Sequence, residues 1–162
     1  MQYHPISTRY TRDLLLTASV DWTIKLWNLN TSESPLLVMQ QPTYEYVSDV
    51  KWSPSHSTLF GTTDSGGELA LWNLSQSVQE PVVPAFKVSS HGLTKLAWKS
   101  DGRHILVGDT AGTASLVSVP DEISKPRGDE ERFLASLRGM TPSQRPTSAA
   151  FDNSVLESKS SA

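Results

Sequence analysis

The sequence predicts an all-β fold built from small antiparallel sheets repeated along the chain. Three observations carry that prediction. The segments WTIKLWNL (22–29), GELALWNL (67–74) and GTASLVSV (112–119) align at successive offsets of 45 residues. Upstream, YVSDVKWSPSHSTLFGTTD (46–64) aligns with LTKLAWKSDGRHILVGDTA (93–111), with Trp52 and Trp98 in register to within one residue. Turn residues separate the apolar runs at matching places: SPSHS (53–57), DSGG (64–67), KSDG (99–102) and DTAG (109–112). Pro, Ser, Asp and Gly each set tight turns for their own steric or hydrogen-bonding reason. A repeat of about 40–45 residues with Trp near the end of each unit is the signature of a β-propeller blade.

The first unit, about 4–40, reads as incomplete. It opens near His4-Pro5, the match of Ser53-Pro54, and runs through DLLLTAS (13–19), TIKLWNL (23–29) and PLLVMQ (35–40). The second unit, about 46–89, has four strands near 46–52, 58–63, 68–74 and 83–89. The third, about 93–119, has strands near 93–98, 103–108 and 113–119, with Val117 where the earlier units carry Trp. The reading is therefore a propeller fragment over 1–119, with two full four-stranded blades and a partial one. The runs LLL, LALWNL and ILVG hardly alternate. Such runs suit sheets covered on both faces, so Trp27 and Trp72 are expected between blades. Propellers close with roughly 4–8 blades, so an open stack with unpaired edge strands is expected, prone to aggregate unless more chain or a partner closes it.

After Val119 the pattern changes. Residues 120–139 read as a linker and one short helix from Asp129 to Arg138. Asp129 is placed to cap it, Glu130 and Glu131 suit its positive end, and Gly139 is placed to stop it. A helix of this length is marginal alone in water, so its Phe133/Leu137 stripe must dock or the helix frays. Residues 140–162 hold eight Ser or Thr among twenty-three and few large apolar residues. They read as a disordered tail.

Composition narrows function. The 162 residues, 37% apolar and 19% charged with net charge −3, suit one domain. No Lys/Arg run offers a phosphate stripe, so nucleic-acid binding is not expected. No apolar run approaches the roughly 18 residues of a membrane span, and MQYHPISTRYTRD lacks a signal-peptide core. The absence of cysteine removes disulfides and thiolate metal sites, and fits a reducing compartment. His4, His56, His91 and His104 are spaced by 52, 35 and 13, which suits no metal motif. His56 and His104 are expected as solvated turn residues, and Asp49, Asp64, Asp101 and Asp109 as turn carboxylates. No P-loop, dinucleotide fingerprint or Gly-x-Ser-x-Gly elbow occurs. No catalytic residue, cofactor or metal is expected.

SVDWTIKLW (19–27), YEYVSDVKWSPSHSTLF (44–60), GELALWNL (67–74), WKSDGRHILVGDTAG (98–112) and KPRGDEERF (125–133) resemble the C-terminal part of cytoplasmic dynein intermediate chains. The resemblance covers about 13–138. It implies a WD-type β-propeller fragment and a non-catalytic scaffold subunit, cytoplasmic and cytoskeleton-associated. By the same resemblance its partners are the dynein heavy chain and other dynein subunits, in microtubule-based transport. The alternatives are a ciliary dynein intermediate chain, or a general WD-repeat scaffold such as a ubiquitin ligase substrate receptor. The family's N-terminal region, with its light-chain and dynactin sites, has no match here, so those activities are not carried over. The tail after Met140 also departs from the family.

WD repeats share a network of a third-strand Trp, a second-strand Ser/Thr, a turn Asp and a His from the preceding loop. The resemblance places it on Trp27 and Trp72, on Ser19 or Thr17, and on Asp21; His91 lies about two residues out of register. Trp22 follows Asp21 at the loop tip, where the family commonly has Gly or a polar residue. It either leans on a neighbouring loop or anchors a partner, since Trp is enriched at binding hot spots.

Overall fold

A computed structural model describes residues 1–30 and 33–139. The tail expected over 140–162 lies outside the described residues. The described chain forms three antiparallel sheets. The first is β1 (Gln2–Tyr3), β2 (Leu14–Ala18), β3 (Thr23–Asn28) and β4 (Leu37–Gln40), paired in that order. The second is β5 (Val47–Trp52), β6 (Leu59–Asp64), β7 (Glu68–Asn73) and β8 (Val83–Lys87), again in chain order. The third has β9 (Leu93–Trp98), β10 (His104–Asp109) and β11 (Ala114–Ser118), with β10 central. Two short helices follow, α1 (Asp121–Ser124) and α2 (Glu130–Gly139).

The expected short unit is at the other end. Gln2 and Tyr3 pair with Leu16 and Leu15, so the first sheet has four strands and the third has three. The residues just before the His4-Pro5 turn hold the place that Trp52 holds before Ser53-Pro54. Two residues are too few to show a strand period, so the sequence pattern missed them.

The pairings repeat at the 45-residue offset. Leu15 faces Trp27 across β2–β3, Phe60 faces Trp72 across β6–β7, and Ile105 faces Val117 across β10–β11. Their neighbours Leu16–Leu26, Gly61–Leu71 and Leu106–Leu116 point to the opposite face, because side chains alternate along a strand. Each sheet thus has one face built on the Trp position and one built on Leu.

That polarity sets the stacking order. Leu14, Leu16, Ile24 and Leu26, all 0–1% exposed, share one core cluster with Trp52, Phe60 and Trp72. The Leu face of the first sheet therefore meets the Trp face of the second. Leu69 and Leu71 share a separate cluster with Leu96, Ile105 and Val107, so the second sheet's Leu face meets the third sheet's Ile105/Val117 face. The middle sheet is covered on both sides, and all six residues of β6 are buried. The same two-sided cover accounts for the uninterrupted apolar run Leu69–Trp72 in β7.

Side chains also tie the sheets together near their first strands. Gln2 Oε1 accepts the Trp52 N–H (2.7 Å), and Asp49 Oδ2 accepts the Leu96 N–H (3.1 Å). The Trp98 indole N–H donates to the Lys51 carbonyl (3.0 Å), and His4 Nε2 lies 2.8 Å from the Ser57 carbonyl. Asp49 is thus a buried strand residue and not a turn carboxylate. Its repeat partner, by strand position, is Lys95, so sequence alone offered no polar pattern to mark it.

The helix docks as its apolar stripe requires. Leu134 and Leu137 are each 2% exposed and join the first core cluster, with Phe133 packed against it. Asp129 stands just before the helix, its carbonyl accepting the Phe133 N–H (3.0 Å), and Glu130 holds the preceding turn, accepting N–H bonds from Arg127 (2.6 Å) and Gly128 (2.8 Å). Its carboxylate also lies 3.3 Å from His56 Nε2. His56 is completely buried, which corrects its reading as a solvated turn residue. The chain returning as α2 covers it, a contact across more than seventy residues that no local pattern reports.

Burial lowers the His56 pKa below 6.5; the Glu130 charge works against that, while Arg127 adds to it. Burial lowers His4 in the same sense, against its hydrogen bonds to Ser57 and Ile6. For Glu130, burial alone would raise the pKa, but the Arg127 N–H and the other hydrogen bonds hold it below 4.5. The unfolded chain therefore binds protons at His4 and His56 before the folded chain does. Stability contributed by the neutral imidazoles is complete above pH 6.5 and falls as pH drops below it. The urea midpoint should be higher at about pH 7.5 than at about pH 5.5, and His56→Gln should shrink that difference. An equal drop in wild type and in His56→Gln would contradict this assignment for His56.

The two tryptophans separate by burial. Trp72 is fully buried between sheets, whereas Trp27 lies half-buried on the uncovered face of the first sheet. Trp72→Ala should cost about 3–5 kcal/mol. Trp27→Ala should cost less, about 1–3 kcal/mol. Urea melts of both variants check the order, and equal losses would contradict the stacking.

Candidate functional site

The network expected from the repeat exists in the second unit in modified form. The Trp72 indole N–H donates to Thr62 Oγ1 (3.1 Å), and Thr62 Oγ1 donates to Gln41 Oε1 (3.4 Å). Gln41 Nε2 reaches Asp64 Oδ2 (3.5 Å), which also accepts the Thr43 hydroxyl (3.0 Å). Asp64 Oδ1 takes the Glu68 N–H across its turn (2.9 Å). Gln41, Thr62 and Asp64 are all completely buried. Gln41 comes from the loop between β4 and β5 and stands where the family pattern has histidine. Its amide supplies one acceptor and two donors, so it bridges hydroxyl and carboxylate without a titrating group.

In the first unit the network is split. The Trp27 indole N–H donates to Thr17 Oγ1 (2.9 Å), so Thr17 and not Ser19 is its partner. Ser19 Oγ instead accepts the Asp21 N–H (3.4 Å). Asp21 accepts from the Thr23 hydroxyl (2.6 Å) and N–H (3.1 Å), and Lys25 Nζ lies 3.4 Å away. The Thr23 hydroxyl is the largest influence lowering the Asp21 pKa to about 2. Asp21 therefore folds its own exposed turn.

In the third unit, valines occupy the Trp and Thr positions. Asp109 holds its turn through Ala111 and Thr113 N–H groups (3.0 and 2.8 Å) and accepts the Ser89 hydroxyl (2.6 Å). His91 is exposed, and its N–H donates to Ser89 Oγ (3.1 Å). It takes no part in an indole network. Asp101 lies at a turn as expected, whereas His104, half-buried, opens β10, its Nδ1 3.2 Å from Asp101 Oδ2.

Trp22 is 42% exposed at the β2–β3 tip. It lies edge-on to Tyr44, with ring centroids 6.1 Å apart at 82°. Both residues have positive φ, 65° at Trp22 and 55° at Tyr44. Bulky side chains rarely adopt that region, and such strain concentrates at binding sites. The neighbourhood holds them there: the Trp22 carbonyl accepts the Gln41 N–H (2.8 Å), and Gln41 is anchored in the Asp64 network. Tyr44 is 69% exposed and Tyr46 49%, so the loop tips present three aromatics to solvent. Tyr44 also borders a shallow cleft with Gln40, Pro42, Pro81 and Pro84. Trp22 was identifiable from sequence as an aromatic at a turn; its pairing with Tyr44 was not.

Among the described residues no group of three or more His, Cys, Asp or Glu is arranged to hold a metal ion. Among them, too, no helix is long and apolar enough to cross a membrane.

A family model, WD domain, G-beta repeat, matches residues 6–28, which contain β2 and β3 with the Trp27–Thr17 pair. Together with the stacked antiparallel sheets, this makes the chain a WD-repeat protein with a β-propeller fragment fold. Over 139 residues, 82% of its length, it is 37% identical to a Drosophila melanogaster protein, "Cytoplasmic dynein 1 intermediate chain". The chain belongs to the dynein intermediate chains of the WD-repeat family, and it spans 21% of the length of that relative.

Proposed function

We propose that this chain is a non-catalytic scaffold of the dynein intermediate chain type, which binds the dynein heavy chain and supports microtubule-based transport in the cytoplasm. The observation that carries this reading is the 37% identity over 82% of the chain. Residues 1–119 serve as the propeller scaffold, and 120–139 brace it through α2. Other subunits of the motor assemble around the same scaffold.

Within this reading, Trp22 and Tyr44 form the heavy-chain contact. Their rings are exposed, held in place by a buried network, and of the type enriched at binding hot spots. Trp22→Ala should weaken heavy-chain capture by roughly thirtyfold, equivalent to about 2 kcal/mol. The same change loses one edge-to-face ring pair, about 0.5–1.5 kcal/mol, so the melting temperature should fall only slightly. Pull-downs of heavy chain and thermal melts on the same preparation check both. Capture unchanged by Trp22→Ala would refute the contact. No capture by the wild-type chain would refute the function.

A further inference from the structure

Trp22 ends the turn before β3, and Tyr44 stands in the loop that joins the first sheet to the second. The pair therefore sits at an internal junction and not at either end of the stack. Its rings cross at 82° with centroids 6.1 Å apart, and both are exposed, so they wall an open corner. The chain fills that corner with no cation of its own among the described residues; Arg9 stacks on Tyr10 instead, 4.4 Å from the ring centroid. Two carboxylates border it. Glu45 follows Tyr44, is exposed, and accepts the Ser65 hydroxyl (2.6 Å). Glu80 is the charged side chain in the lining of the cleft beside Tyr44, a space of about 350 Å³ otherwise walled by prolines, glutamines and Ala85. Among the described residues neither acid has a Lys or Arg nitrogen within ion-pair distance: Lys25 pairs with Asp21, and Lys87 donates to the Gly66 carbonyl.

We propose that this corner receives an arginine of the heavy chain, its guanidinium stacked on Trp22 and Tyr44 and its N–H groups turned to Glu45 and Glu80. The proposal rests on the reading of these rings as the heavy-chain contact and names the chemistry they recognise. A cation within about 6 Å of a ring centroid is attracted by the π quadrupole, most strongly at Trp. A guanidinium is planar, so it stacks on a ring while the N–H groups at its edge donate to a carboxylate. The two acids decide against a wholly apolar partner. Any partner closing over the rings takes Glu45 and Glu80 out of water, and a carboxylate left unpaired there is costly. An arginine supplies the donors that the lost water supplied. The rings are also set before the partner arrives. Positive φ holds both residues in their turns, and the Trp22 carbonyl accepts the Gln41 N–H (2.8 Å), which lowers the ordering cost of binding.

Two measurements on the full chain test this, with thermal melts checking that each variant keeps its fold. In heavy-chain capture, Trp22→Leu should bind roughly fivefold or more weaker than Trp22→Phe, because Leu keeps an apolar side chain and loses the π face. Glu45→Gln combined with Glu80→Gln should raise the dissociation constant roughly tenfold. If Trp22→Ala loses capture while Leu serves as well as Phe and the double Gln variant binds like wild type, the contact stands and the arginine is overturned. The second measurement needs no heavy chain. The indole N–H resonance of Trp22, assigned by its loss in Trp22→Phe, is followed by NMR during titration with N-acetyl-arginine amide. The neutral isostere, N-acetyl-citrulline amide, is titrated beside it. The arginine probe should shift the resonance several times further than citrulline at equal concentration, and the double Gln variant should remove most of that difference. Equal shifts from the two probes, or no shift from either, would overturn the proposal even where heavy-chain capture succeeds. A selective arginine shift in a chain that captures no heavy chain would sustain the recognition chemistry and refute the partner.

Discussion

The fold depends on one contact: the Trp72 and Phe60 face of the middle sheet against Leu16, Leu26 and their neighbours in the first. Phe60 and Trp72 stack at 5.9 Å with planes 2° apart, and Trp52 meets Phe60 edge-on at 5.5 Å. These three rings form an apolar wall that another apolar sheet face covers. Because every unit has the same two-faced pattern, this contact gives the stack a direction. It also determines which side chains end up uncovered at each end.

A buried indole brings its own demand, since its N–H must find an acceptor. Thr62 supplies it, and the demand then passes through Gln41 to Asp64, which fixes the β6–β7 turn. The same chain of bonds fixes the loop from β4 to β5, through Gln41 and Thr43. The Trp22–Tyr44 tip rests on that loop. Core packing and the candidate contact surface are thereby connected through four hydrogen-bonded side chains. Where Trp is replaced by Val117, no indole demand arises, and Asp109 serves only its turn and Ser89.

Much of this was legible in sequence because it is periodic. The repeat and its turn residues located ten of the eleven strands among the described residues, and Trp27 and Trp72 marked the blade face. The Phe133/Leu137 stripe and flanking acids marked α2. What escaped is what depends on long-range return of the chain. His56 looked like a turn residue because its cover, Glu130, is distant in sequence. Asp49 looked like a turn residue because its acceptor role is toward another sheet. Gln41 replaces a histidine by supplying equivalent hydrogen bonds, and residue type alone gave no hint of it. Ser19 and Thr17 both fitted the pattern; in the fold Thr17, inside β2, meets the Trp27 indole, while Ser19, just past the strand, turns to the Asp21 N–H.

The central claim is that the Trp face of each sheet receives the Leu face of the one before it. A double-mutant cycle tests it directly, using Leu26→Ala and Trp72→Phe in urea denaturation. Residues packed in one junction couple by about 0.5–3 kcal/mol, whereas separated ones add to within about 0.3–0.5 kcal/mol. The account predicts coupling for Leu26 with Trp72, and near-additivity for Leu96→Ala with Trp72→Phe, since Leu96 lies in the cluster on the other side of the middle sheet. Additivity for Leu26 together with strong coupling for Leu96 would contradict it.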